Sequence, residues 1–354
     1  MKKKLLGSFV PAAAGLMLLT PASAAEFSDL SSSQRFYEEM MYLEQEDVIS
    51  GYPDGTFRPA NEVTRAEATI MIGRSLGLEE APTSSEFSDV GESVRASGYI
   101  NELTERGIIS GYPDGTFRPG KEVSRGEMAI LLTRAFNFDE EAPYSFIDLN
   151  RNMASYDYVS RFLEANITYG YPDGTYRPAE GVSRADFSAF LARSLNEDFQ
   201  EEPRDLTSYA REQSYTFTIE YYTTGEVDEI TYAGIDSSGQ YYLWENTNQF
   251  GETNQTIEYE AVNGLHYGIL NSEGVQVLGY PVEIGTTWEV GVGITTPREI
   301  TDTGVTIETE AGTFTDAVEV TEPSSGYVYY VVEDYGVVYS ERNGEAESEL
   351  INVE

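Results

Sequence analysis

The 354-residue chain contains no cysteine, one histidine and, beyond its first four residues, a single lysine, Lys121. The absence of cysteine excludes disulfide bonds, thiol nucleophiles and cysteine-ligated metal sites. Because His266 is the only histidine, a histidine-based catalytic triad has no support and a site with several histidine ligands is excluded. We therefore predict no catalytic residues, no cofactor and no metal site.

Positive charge is scarce throughout. The 22 basic residues are outnumbered by 61 acidic ones, so the formal net charge is -39. A chain of this charge repels phosphate, and nucleic acid is not an expected partner. Nearly all the basic residues are arginine, which keeps its charge at alkaline pH, whereas lysine loses charge towards a pKa of roughly 10.4. We interpret this composition as adaptation to high pH or high salt; compositional drift is the alternative.

The N-terminal segment is typical of a signal peptide. Lys2 to Lys4 are followed by an apolar stretch from Leu5 to Leu19 and by the small-residue triplet Ala22-Ser23-Ala24. This pattern predicts export, with residues 1–24 removed. The apolar stretch is short for an uncleaved anchor, which needs about 20 residues, and no later segment is apolar enough to cross a bilayer as a helix.

One unit recurs three times in the first half of the chain. Gly-Tyr-Pro-Asp-Gly-Thr-Phe-Arg-Pro begins at Gly51 and again at Gly111, and it returns at Gly170 with Tyr176 in place of phenylalanine. An acidic opening precedes each copy, with Asp29, Asp89 and Asp148 as its carboxylates. A fixed period of this kind predicts a repeat architecture.

Each unit has the pattern of a helix, a tight turn and a second helix. Phe36, Met40 and Leu43 form one apolar stripe at helical spacing. The Pro-Asp-Gly turn reverses the chain, because proline fixes φ and glycine accepts φ > 0. The second helix opens with a capping-box pattern, seen at Thr64 and Glu67 and again at Ser124 and Glu127, and at Ser183 with Asp186.

These motifs carry a family resemblance. Phe-x-Asp-Val/Leu, then Ile-Ser-Gly-Tyr-Pro-Asp-Gly-Thr-Phe-Arg-Pro, then Thr-Arg-Ala-Glu, in three tandem copies over about residues 26–196, resembles an S-layer homology (SLH) region. In that family three repeats form a pseudo-threefold spindle around a helical bundle. Grooves between adjacent repeats bind secondary cell-wall polymer, often capped by a pyruvate ketal. The resemblance thus implies a cell-wall polysaccharide as partner and a location at the cell surface.

The resemblance directs attention to arginines that follow each helix N-cap and recur nine residues later. At the helix starts we expect free backbone N–H groups, which together with the helix dipole favour an anion. Nine residues turn a helix by about 900°, so one repeat cannot close both arginines on one ligand, whereas a groove shared by neighbours can. Arginine grips a carboxylate with two parallel hydrogen bonds. The candidate carbohydrate-binding residues are Asp29, Gly51, Arg65 and Arg74; Asp89, Gly111, Arg125 and Arg134; and Asp148, Gly170, Arg184 and Arg193.

Other roles for these residues stay open at this point. The arginines could pair with the surplus of acidic side chains. The aspartates could bond sugar hydroxyls or cap the first helix, and the glycines could serve only the turn. One departure from the family pattern stands out, because the tryptophan common near the start of the first helix is replaced by Arg35, Arg95 and Ala154.

From about Asp205 the helical spacing gives way to alternating runs rich in tyrosine and threonine, separated by turn pairs such as Asn263-Gly264. These runs predict an antiparallel sheet, a sandwich or an open barrel. We thus expect a multidomain chain: a signal peptide (1–24), three α-rich repeats (25–80, 84–140 and 143–197), a linker (198–207) and a β-rich domain (208–354). The predicted function is wall anchoring without enzymatic activity; a wall-tethered hydrolase and a surface-lattice subunit are the alternatives.

Overall fold

The computed structural model describes residues 27–79, 81–270, 274–290 and 296–354, and the predicted signal peptide lies outside these residues. Among the described residues of the N-terminal half there are six α-helices, two in each repeat. They are α1 (Tyr37–Gln45), α2 (Arg65–Ser75), α3 (Ser97–Glu105), α4 (Arg125–Phe136), α5 (Tyr156–Glu164) and α6 (Arg184–Leu195). A single 3₁₀ turn, Glu197–Phe199, follows α6.

The second helix of each repeat packs against the first helix of the next: α2 on α3, α4 on α5 and α6 on α1. This order closes a ring of three repeats. The predicted apolar stripe faces the shared core, where Met40 and Leu43 are completely buried and Phe36 is partly so. The N-caps of the second helices also form as predicted, since the hydroxyl of Thr64 accepts from Glu67 N and that of Ser124 accepts from Glu127 N.

The third cap is only half of a capping box. Ser183 accepts a hydrogen bond from the backbone N–H of Asp186, as predicted. The side chain of Asp186, one methylene shorter than glutamate, contacts the Ser183 hydroxyl instead. The helix still begins at Arg184, because the main N-cap bond is present.

The C-terminal half is a single antiparallel sheet in the order β6-β5-β4-β3-β2-β1-β12-β11-β10-β9-β8-β7. The helix-then-β layout is thereby confirmed, with one sheet rather than the two packed sheets of a sandwich. The strands are β1 (Thr216–Tyr221), β2 (Glu226–Ile235), β3 (Tyr242–Asn248), β4 (Thr253–Ala261), β5 (Gly264–Ile269), β6 (Val275–Gly279), β7 (Thr287–Val290), β8 (Thr296–Thr309), β9 (Gly312–Glu322), β10 (Tyr327–Val332), β11 (Gly336–Arg342) and β12 (Glu345–Val353).

The sheet curls so that its two edge strands approach each other. Side chains, rather than a backbone ladder, join the edges: Trp288 Nε1 donates to the carbonyl of Gln276 at 3.1 Å, and Arg298 Nη1 donates to the same carbonyl at 2.8 Å. The apolar and tyrosine side chains of the inner face are therefore enclosed by the curl, with Trp244 completely buried. Among the described residues, no helix combines the length and apolarity that a membrane crossing requires.

The third repeat is docked directly on the sheet. The backbone N–H of Val262 donates to the carbonyl of Ser145 at 2.8 Å, and Gln240 Nε2 donates to the carbonyl of Ile147 at 3.1 Å. The rings of Tyr144 and Tyr280 pack against each other at a tilt, with centroids 5.3 Å apart. The opening segment of the third repeat thus serves as the seat of the β domain.

The packing inside the sheet can be tested through the pKa of His266. This histidine lies on β5, buried, with its ring stacked on Tyr259 at a centroid distance of 4.4 Å and its Nδ1 3.0 Å from the carbonyl of Gly264. Burial lowers its pKa from 6.5 to about 4. Between those values the unfolded chain binds the proton and the folded chain does not, so stability falls as pH falls from 6.5 to 4.

We predict that NMR titration of the single histidine gives a pKa near 4, and that His266→Gln removes a stability loss of about 3 kcal/mol over this pH range. The peptide-like pKa should reappear in denaturant, which serves as the control. A titration near 6.5 in the folded chain would contradict the buried stacking.

Candidate functional site

A ring of backbone hydrogen bonds joins the three repeats at their centre. Val63 N donates to the carbonyl of Val182, Val182 N to that of Val123, and Val123 N to that of Val63, at 2.9–3.0 Å. Each valine is completely buried. The donors and acceptors are used up in a closed cycle, so no repeat can leave the ring without exposing unpaired groups.

The start of each second helix is covered by the neighbouring repeat. Arg65 N donates to the carbonyl of Lys121 and Ala66 N to that of Pro119. The same pairing recurs for the other two helices: Arg125 with Glu180, Gly126 with Pro178, Arg184 with Asn61 and Ala185 with Pro59. Free N–H groups at these helix starts had suggested an anion site; that expectation is wrong, because inter-repeat carbonyls already satisfy them.

The N-terminal arginines reach across the same interfaces. Arg65 donates from Nε to the carbonyl of Phe117 at 2.9 Å and from Nη2 to that of Ser110 at 2.7 Å. Arg184 and Arg125 repeat the arrangement: Arg184 donates to Phe57 and Ser50, and Arg125 donates to Tyr176. Aromatic rings of the next repeat lie 4.5–5.2 Å from the guanidinium of Arg65. These buried cations fasten each repeat to its neighbour.

Burial lowers the pKa of Arg65 and of Arg184 from the ordinary arginine value. Arginine nevertheless stays protonated at any accessible pH, since its ordinary pKa exceeds about 12. The carbonyl acceptors and aromatic faces therefore compensate the buried charge. The alternative of pairing with surplus carboxylates accounts for little here; the acidic contact of Arg184 is Glu67, at 3.9 Å.

The second set of arginines occupies three different environments. Arg74 donates to the hydroxyl of Ser50 at 3.1 Å. Arg134 is exposed beside Tyr158, to whose hydroxyl it donates at 2.9 Å. Arg193 donates to the carbonyl of Ile167 and pairs with Glu201 at 2.7 Å. The repeats are thus alike in their interfaces but unlike at this helical position.

The two sets of arginines converge at Ser50. Arg184 of the third repeat donates to its carbonyl at 3.1 Å, and Arg74 of the first repeat donates to its hydroxyl. The cavity beside Arg74 has a volume of about 370 Å³ and is completed by Tyr99 of the second repeat, with Glu46, Asp47 and Glu79 on its rim. This volume is within the range of ligand pockets, about 300–1,000 Å³.

The opening aspartates have a role that the sequence did not suggest. Asp29 accepts hydrogen bonds from the backbone N–H of Phe57 at 2.7 Å and of Arg58 at 2.8 Å. Asp89 and Asp148 do the same for Phe117, Arg118, Tyr176 and Arg177. Each carboxylate therefore ties the opening of a repeat to the end of its own turn, instead of capping the first helix.

Gly51, Gly111 and Gly170 are required by close packing. A Cβ on Gly51 would lie 2.1 Å from the ring of Phe27, and one on Gly111 would lie 2.2 Å from the ring of Phe87. Gly170 meets Phe146 in the same way and also has φ near +70°. In each repeat the phenylalanine of the acidic opening occupies the space that a side chain on this glycine would need.

A cluster that sequence reasoning missed lies on the outer side of each turn. The guanidinium of Arg58 stacks on the ring of Tyr52 at 3.9 Å and pairs with Asp54 at 2.8 Å. A hydrogen bond from Thr56, followed by the one from Arg58, lowers the pKa of Asp54 to about 2. Equivalent clusters surround Tyr112, Arg118 and Asp114, and Tyr171, Arg177 and Asp173. The sequence signal for this cluster is the motif Asp-Gly-Thr-Phe/Tyr-Arg, which recurs in all three repeats.

The residues that replace the family tryptophan, Arg35, Arg95 and Ala154, are all exposed. A tryptophan at these points would add surface rather than fill the core. Within the described ranges, no group of three or more histidine or acidic side chains is placed to hold a metal ion.

The glycine packing can be tested within one repeat. We predict that Gly111→Ala lowers the free energy of unfolding by about 1–3 kcal/mol, because the new Cβ collides with Phe87. Gly120→Ala is the matched control, since nothing lies within 4 Å of its added Cβ. Denaturant unfolding measures both. Equal stability for the two variants would contradict the proposed contact.

Comparison with known proteins agrees with this geometry. The S-layer homology domain model matches residues 26–69, 86–129 and 145–188. A cellulosome-anchoring protein of Acetivibrio thermocellus is 33% identical over 162 residues, which cover 43% of this chain and 36% of that protein. S-layer protein EA1 of Bacillus anthracis is 25% identical over 198 residues, covering 54% of this chain and 22% of that protein.

An endoglucanase of a Bacillus species is also similar, 28% identical over 199 residues, covering 54% of this chain and 21% of the enzyme. The chain thus spans only about a fifth to a third of these relatives' lengths. The similar proteins are mainly anchoring or surface-layer proteins, and they support a location outside the cell, at the cell wall or cell surface. By these matches, the chain carries three tandem S-layer homology domains, at residues 26–69, 86–129 and 145–188.

Proposed function

We propose that the chain is held non-covalently on an acidic, pyruvylated secondary cell-wall polysaccharide and displays its β domain outside the cell. The observation that carries this proposal is the convergence of Arg184 and Arg74, from different repeats, on Ser50 beside the 370 Å³ cavity. The anchoring role named for the Acetivibrio relative supports it.

The groove at Arg74 suits a glycan with one carboxylate. The guanidinium of Arg74 has a single protein hydrogen-bond partner, the hydroxyl of Ser50, among the described residues. Its remaining donors can hold a ketal carboxylate in bidentate fashion. Glu46 and Asp47 on the rim of the cavity are suited to accept hydrogen bonds from sugar hydroxyls. The groove therefore combines an anion site with a polar wall.

The corresponding groove of the third repeat is already occupied by the chain itself. After α6 the polypeptide turns back so that Glu201 pairs with Arg193 at 2.7 Å and the ring of Phe199 packs against that of Tyr42, with centroids 5.0 Å apart. Gln200 Nε2 donates to the carbonyl of Arg193. The exit segment supplies the carboxylate that a glycan would otherwise bring, and we assign this groove no polymer.

In this scheme Arg65, Arg125 and Arg184 position the turns that border the grooves, as do the opener aspartates and the turn glycines. Arg134, exposed beside Tyr158, marks a second open groove. The working sites are then those of the first and second repeats, and the third serves mainly as the seat of the β domain.

We propose a display role rather than an enzymatic role for the β domain. The completely buried Glu258 and the partly buried Glu260 are both engaged: Glu258 accepts from Arg211, and Glu260 accepts from Tyr209 N and from the hydroxyls of Ser208 and Tyr280. A hydrolase would need a free carboxylate pair. Release of reducing sugars from wall polymer, or ordered sheets of purified protein, would favour the hydrolase or the lattice alternative.

Sedimentation with cell walls tests the anchoring directly. We expect the mature protein to sediment with purified sacculi, to remain in solution when the secondary polymer has been extracted, and to bind more weakly when the pyruvate ketal is removed by mild acid. Loss of the carboxylate removes the charge-assisted hydrogen bonds. Equal binding to all three preparations would refute the proposed polysaccharide mechanism.

The groove assignment predicts different effects at equivalent arginines. Arg74→Ala should weaken wall binding by about ten-fold or more, the value of a hydrogen bond between charged groups. Arg193→Ala should change wall binding less than three-fold, because the guanidinium of Arg193 is already paired with Glu201. Arg106→Ala, an exposed arginine outside the grooves, is the control for charge. Similar losses at Arg74 and Arg193 would contradict the assignment.

A further inference from the structure

The curled sheet encloses a cavity of about 230 Å³ on its inner face, away from the repeats' grooves. We call it the inner cavity. Its wall draws on both halves of the sheet, with Tyr221 from β1, Tyr267 from β5, and Tyr327 and Tyr329 from β10. Side chains of Ile219, Val277 and Val337 supply apolar surface. The lining is thus largely aromatic and aliphatic, with a few polar groups.

Two arginines complete the wall, Arg211 and Arg298. Residues 205–354 contain only three arginines and no lysine, in a strongly acidic chain. Two of these three cations line one cavity, and each is paired with a single carboxylate, Arg211 with Glu258 and Arg298 with Glu322. A cavity with apolar walls and few polar anchors is the usual form of a small-molecule site.

Arg211 supplies the second observation. Only 9% of its side chain is exposed, and its Nη1 pairs with the completely buried Glu258 at 3.3 Å. Its Nε is buried and has no hydrogen-bond partner among the described residues. A buried donor on a cation is destabilising when it has no partner, so a ligand acceptor that comes within hydrogen-bond distance of Arg211 would be stabilised.

Arg298 differs from Arg211, because its donors already have protein partners. Its Nε pairs with Glu322 at 3.3 Å and its Nη1 donates to the carbonyl of Gln276 at 2.8 Å. The latter bond links the two edges of the sheet, so Arg298 holds the seam beside the inner cavity closed. Arg211 is therefore the residue that would bind an acceptor of the ligand. Arg298 adds its charge and forms part of the cavity wall.

We propose that the inner cavity binds a small monocarboxylate with a flat apolar body, its carboxylate on Arg211 and its body among the tyrosines. The size supports this class, because an engineered cavity of about 150 Å³ holds benzene. The 230 Å³ here leaves room for one ring and a carboxylate. The inference does not depend on polysaccharide binding.

Three probes of one shape test the charge requirement on the full mature chain: benzoate, the neutral benzamide and the cationic benzamidine. Titration calorimetry should give a Kd for benzoate at or below about 1 mM, at least ten-fold tighter than for benzamide, and no binding of benzamidine. Absence of benzoate binding, or equal affinity for benzoate and benzamide, would overturn the proposal.

The location is tested by filling the cavity. Val337→Phe enlarges a side chain of the cavity wall, keeps both Arg211 and Glu258 in the chain, and should reduce benzoate affinity at least ten-fold. Ile284→Phe, at an exposed position of the same domain, should leave it unchanged. Ser348→Leu, on the neighbouring strand β12, fills the same cavity and replaces Val337→Phe if that variant fails to fold. Undiminished benzoate binding in a folded cavity-filled variant would overturn the assigned site.

Discussion

The rest of the N-terminal structure depends on closure of the three repeats into a ring. Closure places the carbonyls of one repeat over the helix N-terminus of the next, and it buries an arginine at each junction. A buried guanidinium is costly unless its donors are matched, and here Arg65 and Arg184 are matched by carbonyls that only the neighbouring repeat provides. No isolated repeat can satisfy its own arginine, so folding and assembly of the three units are coupled.

The same closure produces sites that are not equivalent. At the helical position of Arg74, Arg134 and Arg193 the first copy borders an open cavity, the second is exposed and the third is paired with Glu201. The difference comes from where the chain goes after the third repeat. Because it must leave the ring to form the sheet, its exit segment passes Arg193, with which Glu201 pairs, and the opener of that repeat becomes the seat of the β domain.

Much of the repeat architecture could be predicted from sequence. Turn chemistry, helical spacing and N-cap motifs are local, so the helices, the positive-φ turn glycines and two complete capping boxes followed from residues a few positions apart. The antiparallel β half was predictable from alternation. The single curled sheet was not, because the pairing of β1 with β12 joins strands more than a hundred residues apart. The expectation of free N–H groups at the helix starts was wrong for a similar reason, because the carbonyls that accept from them belong to the neighbouring repeat.

By itself the sequence determined that three similar units exist, that each contains a cation after a helix cap, and that the C-terminal half is built of antiparallel β-strands. Only the tertiary structure decided what those residues contact. Arg184 reaches the carbonyl of Phe57, 127 positions away, and Arg211 meets Glu258 across the sheet. Burial and partners decide whether an arginine fastens an interface, stays available to a ligand or is neutralised. These quantities are set by distant residues, so identical motifs acquired different roles.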